Sequence, residues 1–313
     1  MIDTRQLHTD QGRPGSLITR DGQIQWAGIL FGPGTPYAVD AKGITGWDDL
    51  PALDSGDVPR PDQHGSWPGA RWAKPRTVGA TVWLLPDAPR HAHAVMQEFR
   101  AATGLHDGES WLAVRLHGET LACRARVDRR VIPQDRAYVT QGAAKASLQW
   151  IATDPRRFEA QQRQARATLP LPEQGLRWNE AGGTGQGLAW PLDWGTAGQA
   201  GTASVVNDGS AAAHPVIELR GPVQRPRLTR LTDGRRLQYD LALGAGDVLT
   251  VDTHAGTVLL NGTTSRLYTA TPDSSPEQLF TLEPGTTPLV FRSDDTTPDP
   301  NASVTVRWRN AHW

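Results

Sequence analysis

Histidine and cysteine are the residue types in this chain that most often supply a nucleophile or a metal ligand. Nine histidines are present, but no H-E-x-x-H occurs, and His91 and His93 lie two apart on a predicted helix, so they point to different faces. Cys123 is the only cysteine, which excludes an intrachain disulfide and a cysteine-based zinc site. It lies in a predicted strand and is expected to be a small core residue. No serine has the flanking glycines of a G-x-S-x-G elbow.

Acidic pairs and one glycine-rich run are the other candidates for chemistry. Asp48-Asp49 and Asp294-Asp295 could be glycosidase carboxylates or calcium ligands. Both pairs lie in predicted turns, where acids are usually solvated. The run Gly183–Gly187 could suggest a phosphate loop, but the Lys-Ser/Thr pair, a preceding strand and a following helix are missing, so we interpret it as linker. The sequence therefore predicts no catalytic residue, no metal site and no cofactor.

Tryptophans offer a surface for binding instead. Trp47, Trp67 and Trp72 lie in residues 46–76, a segment without periodicity that is rich in Pro, Gly and Asp. A loop of this length is unusual within a compact domain, and exposed indoles forfeit burial energy. These tryptophans pack either on their own domain or, as a clasp, on a neighbouring subunit.

A second tryptophan group lies beside a predicted domain junction. Its members are Trp178, Trp190 and Trp194. They could stack on a sugar, but packing between domains is the favoured interpretation.

The composition restricts the class of protein. The chain has 313 residues, of which 38% are hydrophobic and 21% charged, with a net charge of -1. These values indicate a folded chain without a dominant attraction to nucleic acid or acidic lipid. The 32 glycines and 24 prolines show no Gly-x-y period and are typical of an all-β protein with many turns. No apolar run approaches the ~20 residues of a membrane helix, so we expect a soluble chain without membrane insertion. The first residues lack the apolar core of a signal peptide, so we expect that the chain is not exported by the general route.

The N-terminal half reads mainly as strands with one helix. Strands are predicted at 23–31, 78–85, 111–117, 120–132 and 138–151, with a hairpin at Gly118-Glu119. A helix is predicted at about 88–103, capped by Asp87 and stopped by Gly104. Its apolar face comprises Ala92, Val95, Met96, Phe99 and Ala102. We expect this helix to cover one side of the sheet.

The C-terminal part has the pattern of a β-sandwich. Strands are predicted at 215–220, 247–252, 257–261, 288–292 and 303–309, and Asp233-Gly234 and Asn261-Gly262 are hairpin signals. The last strand alternates, with Val304, Val306 and Trp308 on one face. The predicted division is an N-terminal domain at 1–165, a linker at 166–200 and a sandwich at 201–313.

Several stretches of the chain share the pattern of one family. They are GLAWPLDWG (187–195), VVNDGSAAAHPVIELRGPVQRPRL (205–228), LQYDLALGAGDVLTVDTHAGTVLLNG (237–262), LEPGTTPLVFR (282–292) and the final SVTVRWRNAHW, with looser agreement in DLPALDSGDVPRPDQHGSWPG (49–69) and ATDPRRFE (152–159). Together they resemble the siphophage distal tail proteins, the Dit family.

The resemblance implies a fold and an architectural function. The fold would be mainly β: an N-terminal β-rich, split-barrel or sandwich-like domain with one helix, and a C-terminal galectin-like antiparallel β-sandwich. The protein would be a non-enzymatic structural virion protein of the baseplate, made in the host cytoplasm and located at the tail tip. Six copies would form a ring that joins the tail tube to the tail-tip hub or tail-associated lysin protein.

The resemblance also implies partners. In such a ring, the interpretation of residues 46–76 as a clasp would make Trp47, Trp67 and Trp72 subunit-contact residues. DNA would only pass transiently through the ring lumen. In some relatives the C-terminal domain carries receptor-binding proteins, and in others it touches host glycans.

An alternative function of another class is a carbohydrate-binding adhesion module that acts through the C-terminal sandwich. Trp308 and Trp313 would then contact a sugar or a partner, and Trp308→Ala or Trp313→Ala would abolish glycan binding. A hydrolase is the third hypothesis, and turnover of cell-wall polysaccharide would support it.

Overall fold

The structure is a computed structural model that describes residues 13–171 and 200–313. It divides into two compact units. The first runs to Gln161 and includes Ala311–Trp313, and the second is Gln162–Asn310. This division differs from the predicted boundaries, because residues 163–168 pair inside the second unit and the last three residues return to the first.

The first unit is built on one antiparallel sheet and two helices. Its strands are β1 (Ile24–Trp26), β2 (Ile29–Phe31), β3 (Tyr37–Thr45), β4 (Leu53–Ser55), β5 (Val58–Pro59), β6 (Ser66–Trp67), β7 (Arg71–Ala73), β8 (Arg76–Leu84), β9 (Ser110–Leu116), β10 (Glu119–Val131), β11 (Ala144–Ala152) and β12 (Arg157–Glu159), and its α-helices are α1 (Ala92–Ala102) and α2 (Arg136–Gln141). The sheet order is β2-β1-β9-β10-β11-β8-β3, and β12 pairs with β10. The strands β4 to β7 pair only among themselves.

The core of the first unit lies between the sheet and α1. Alternate residues of β8 and β11 are buried, which is the period of a strand with one covered face. From α1, Met96, Phe99 and Ala102 are buried, as the helical spacing predicts. The Trp26 indole N–H donates to the carbonyl oxygen of Ala102 at 2.8 Å, so the end of the helix is tied to the sheet.

Two local predictions in this unit are wrong. Asp87 does not cap α1, because a 3-10 turn at Pro89–His91 precedes the helix and the Asp87 carboxylate lies 2.5 Å from Nδ1 of His91. The strand predicted at 138–151 begins only at 144. Asp135 caps α2 by accepting from the backbone N–H of Tyr138, and Gly142 ends that helix with a left-handed φ of 70°.

The second unit is also antiparallel. Its strands are β13 (Arg163–Thr168), β14 (Thr202–Asn207), β15 (Val216–Arg220), β16 (Val223–Gln224), β17 (Arg227–Arg230), β18 (Arg236–Gln238), β19 (Ala242–Leu243), β20 (Val248–Asp252), β21 (Thr257–Leu260), β22 (Thr264–Ser265), β23 (Gly285–Arg292) and β24 (Ser303–Trp308). One sheet has the order β13-β24-β15-β20-β21-β22 and another β14-β23-β17-β18, while β16 pairs with β19. The hairpins predicted at Asp233-Gly234 and Asn261-Gly262 connect β17 to β18 and β21 to β22. The mainly β fold class is confirmed.

The chain ends in a short strand that belongs to the first unit. This strand, β25 (Ala311–His312), pairs with β12 through Phe158 and Arg157. Among the described helices none is long and apolar enough to cross a membrane.

Candidate functional site

Residues 52–75, here called the arm, form a two-part β-hairpin that leaves the first unit between β3 and β8. The inner part pairs β4 with β7 and the outer part pairs β5 with β6. The backbone N–H of Gly56 donates to Ala70 at 2.9 Å between the two parts. No residue of the arm is buried, so the hairpin is held by its own hydrogen bonds and not by a core.

Large apolar side chains on this arm face solvent. Trp72 is 72% exposed, and Val58 and Trp67, which lie directly opposite each other in β5 and β6, are each 58% exposed. The Arg60 guanidinium lies 4.3 Å from the centre of the Trp67 ring, a cation–π contact. Leu50, at the base of the arm, is also exposed. Burying apolar area is worth about 25 cal/mol per Å², so this surface is suited to contact with another molecule.

The charges of the arm balance. Its acids are Asp54, Asp57 and Asp62, and its bases are Arg60, Arg71 and Lys74. The arm therefore has no net charge that would attract a charged molecule over a long range.

A close backbone approach shapes the arm between its two parts. A Cβ at Gly69 would lie 2.1 Å from the carbonyl oxygen of Gly56, so only glycine fits there. The Gly69 N–H donates to the Asp57 carboxylate at 2.8 Å, which fixes the bend where β5 follows β4.

A buried arginine fixes the base of the arm. The Nη1 group of Arg76 donates to the carbonyl oxygens of Gly46, Trp47 and Asp49 at 3.0, 2.8 and 2.7 Å, and its Nε donates to Pro155 at 2.7 Å. Burial lowers the pKa of Arg76, and the neighbouring charge of Arg157 lowers it further. The guanidinium nevertheless stays protonated. Its hydrogen bonds therefore hold the two ends of the arm next to each other.

A second arginine joins the arm base to the end of the chain. The Arg157 guanidinium contacts the Asp48 carboxylate and the backbone oxygen of Trp313, and it lies 5.9 Å from the Trp47 ring. Asp49 accepts from the Gly46 N–H at 3.2 Å. These contacts give the Asp48-Asp49 pair a structural role at the turn into the arm.

The predicted contact residues lie in different environments. Trp47 is buried in the core of the first unit, with 3% exposure, so its ring offers little surface to another subunit. Its indole packs on its own domain, whereas those of Trp67 and Trp72 are carried outward on the arm. Residues 46–76 are thus not a structureless loop. Sequence reasoning missed Arg76 and Arg157. A single arginine in a strand does not indicate that its side chain will be buried and bound to backbone oxygens.

The two residues proposed for sugar contact belong to different units. Trp308 is buried in the second unit, where its indole N–H donates to Val206 at 3.1 Å, while the partly exposed Trp313 belongs to the first unit. The alternation that predicted the strand also buries Trp308, so its ring is not accessible to a sugar. Trp178, Trp190, Trp194 and Gly183–Gly187 lie outside the described residues.

The remaining candidates for chemistry, Cys123 and the Asp294-Asp295 pair, have contacts that indicate a structural role. Burial raises the pKa of the Cys123 thiol to about 12, which disfavours the nucleophilic thiolate. Asp294 accepts from Arg225 at 2.7 Å, and Asp295 accepts from the Gln224 N–H at 3.0 Å. In the part of the chain that the structure describes, no group of three or more His, Cys, Asp or Glu could hold a metal ion.

Comparisons with known proteins agree with this architecture. Residues 208–312 match the family model described as siphovirus-type tail component, C-terminal domain. No curated protein sequence matches the chain.

Solved structures show the same fold. The Dit protein of phage SPP1 is similar with a TM-score of 0.61 at 12% identity, over 92% of this chain and 98% of that one. A chain of the phage P2 baseplate, in its activated conformation with Ca, is similar with a TM-score of 0.51 at 8% identity, over 91% and 97%. The C-terminal part of the chain therefore matches the siphovirus-type tail component family, and the described chain has the fold of the SPP1 Dit protein.

Proposed function

We propose that this protein forms a ring at the distal end of the phage tail and that the arm contacts the neighbouring copy. The carrying observation is a hairpin without a core of its own that exposes Val58, Trp67 and Trp72. The similar SPP1 protein is described as a paradigm of the hub adsorption apparatus in phages that infect Gram-positive bacteria. A hub of that kind needs contacts between copies, and the arm supplies a surface for them.

The proposed ring has six copies and joins the tail tube to the tail-tip hub or tail-associated lysin protein. Its DNA contact is limited to passage through the lumen, and it acts without catalysis or a cofactor. It is made in the host cytoplasm and functions at the virion tail tip, where the C-terminal unit faces a receptor-binding protein or a host glycan. The arm and the surface it meets are different parts of the chain, so the contact is heterologous, which is the type that closes into rings.

Solution mass tests this proposal. Light scattering after size exclusion, over a range of concentrations, is expected to show a discrete species of six times 34.0 kDa, about 204 kDa. The double variant Trp67→Ser/Trp72→Ser should shift that species to monomer. The matched control is Tyr268→Ser, which removes an exposed aromatic ring from the second unit and should leave the mass unchanged. Monomer at every concentration, both alone and with the tail tube protein, would overturn the ring.

A further inference from the structure

An apolar cleft of about 380 Å³ opens in the first unit beside β3. It is lined by β1, β3 and β9, mainly through Ile24, Val39, Ile44, Val114 and Leu116. Apart from Thr35, none of its lining residues has a polar side chain. The cleft follows from the topology, because β3 is the last strand of the sheet and its register with β8 shifts between Val39 and Ile44.

The cleft has room for a large side chain. Its volume is many times the ~30 Å³ share of one water molecule, and Val39, Ile44 and Leu116 are only partly buried where they pack against the core. Water in such a cleft finds few hydrogen-bond partners, so filling it with an apolar group is favourable.

We propose that this cleft receives the outer part of the arm, Val58 and Trp67, from a second copy of the chain. This inference rests on the proposed function and names the surface that the arm meets. The arm extends about nine residues from Leu53 to its tip, which is about 30 Å at the rise of a strand and comparable to a small domain. Its own Trp67 remains 58% exposed, so the chain does not fill the cleft with its own arm.

Charge and shape favour this occupant over a charged partner. The arm is neutral, with three acids and three bases, and the cleft lining has no charged residue. The opposite pair Val58 and Trp67 presents a compact apolar tip. Each copy carries both the tip and this cleft, so the contact can repeat from subunit to subunit.

Cross-linking between two separately labelled proteins tests the contact. Ser66→Cys places a thiol beside Trp67 on the exposed arm, and Ala38→Cys places one in the cleft lining. Mixing the two with a short bis-maleimide is expected to give a covalent dimer of about 68 kDa, twice 34.0 kDa. Ser147→Cys, at an exposed position of β11 and outside the lining, is the matched control and should give none. The native Cys123 is buried and is expected not to react.

A filled cleft gives an independent readout. Ala38→Phe places a ring in the cleft and is expected to convert the assembly to monomer, whereas Ala41→Phe, exposed on β3 but outside the lining, should assemble normally. Circular dichroism would verify that both variants fold. If the wild type assembles but Ser66→Cys does not link to Ala38→Cys, or if folded Ala38→Phe still assembles, the cleft is not the receptor while the ring stands. If the wild type never assembles, both proposals fail.

Discussion

Buried arginines act in this protein as internal ties for loops. Arg76, Arg157 and Arg230 are 2%, 8% and 3% exposed, and each donates to at least one backbone carbonyl oxygen. A guanidinium does not lose its proton at accessible pH, so its burial requires that its N–H groups find acceptors. These internal hydrogen bonds and ion pairs give the three arginines a structural role that requires no external ligand.

The contact of Arg230 with Asp233 makes the stability of the fold sensitive to pH. Its Nε lies 2.8 Å from the Asp233 carboxylate, and this contact lowers the pKa of Asp233 to about 2. A lowered pKa in the folded state stabilises the fold above the ordinary carboxyl pKa, and this stabilisation is lost as the pH falls toward 2. Asp233→Asn should therefore cost about 1 kcal/mol at pH 7, after allowance for solvent screening of the partly exposed carboxylate.

Urea unfolding at several pH values measures this effect. The difference between wild type and Asp233→Asn should be constant above about pH 5 and shrink between about pH 4 and 2. The control is Asp273→Asn, because Asp273 is 70% exposed and lies 4.0 Å from Arg236. A difference that grows on acidification would contradict the assignment.

At the scale of elements, α1 is the part of the first unit whose packing can be tested most directly. Phe99 is fully buried and lies 5.9 Å from Tyr37 and 6.2 Å from Phe31, measured between ring centres. Phe99→Ala should lower the free energy of unfolding of the first unit by about 3–5 kcal/mol. His93→Ala, on the exposed side of the same helix, should change it by less than about 0.5 kcal/mol. Chemical denaturation monitored by tryptophan fluorescence gives both values, and a loss below about 1 kcal/mol for Phe99→Ala would contradict the packing.

The sequence predicted those elements whose burial leaves a period in the chain. The apolar face of α1 is predictable because the residues buried against the sheet recur every three positions. The strand β24 is predictable because its buried residues alternate. The hairpin between β9 and β10 was also predicted, and its turn uses His117 and Gly118 with positive φ. In each case the tertiary environment repeats along the element.

The arm could not be predicted in this way because it buries neither face. Its strands have two or three residues each and no buried position, so no hydrophobic period exists to be read. The short β25 and the Arg157 contact depend on residues more than 150 apart in the chain, which no local pattern encodes. The composition of the segment indicates where the exposed tryptophans lie. Only the pairing of β4 with β7 and of β5 with β6 shows that they form a candidate contact surface.

At the scale of the whole molecule, the proposed assembly depends on apolar contact between nearly neutral copies. The chain has a net charge of -1, and the arm has equal numbers of acids and bases. Identical copies therefore repel each other little, and no strong field guides their encounter.

This balance predicts how assembly responds to salt and temperature. Between 0.1 M and 1 M NaCl the screening length falls from about 10 Å to 3 Å, which weakens contacts made by exposed ion pairs. The arm contact, made by Val58, Trp67 and Trp72, should keep its dissociation constant within about threefold over that range, since apolar burial does not depend on screening. Cooling should weaken it, because hydrophobic association loses strength at low temperature. Light scattering at both salt concentrations measures the constant, and a weakening of more than about tenfold in 1 M NaCl would show that ion pairs hold the copies together.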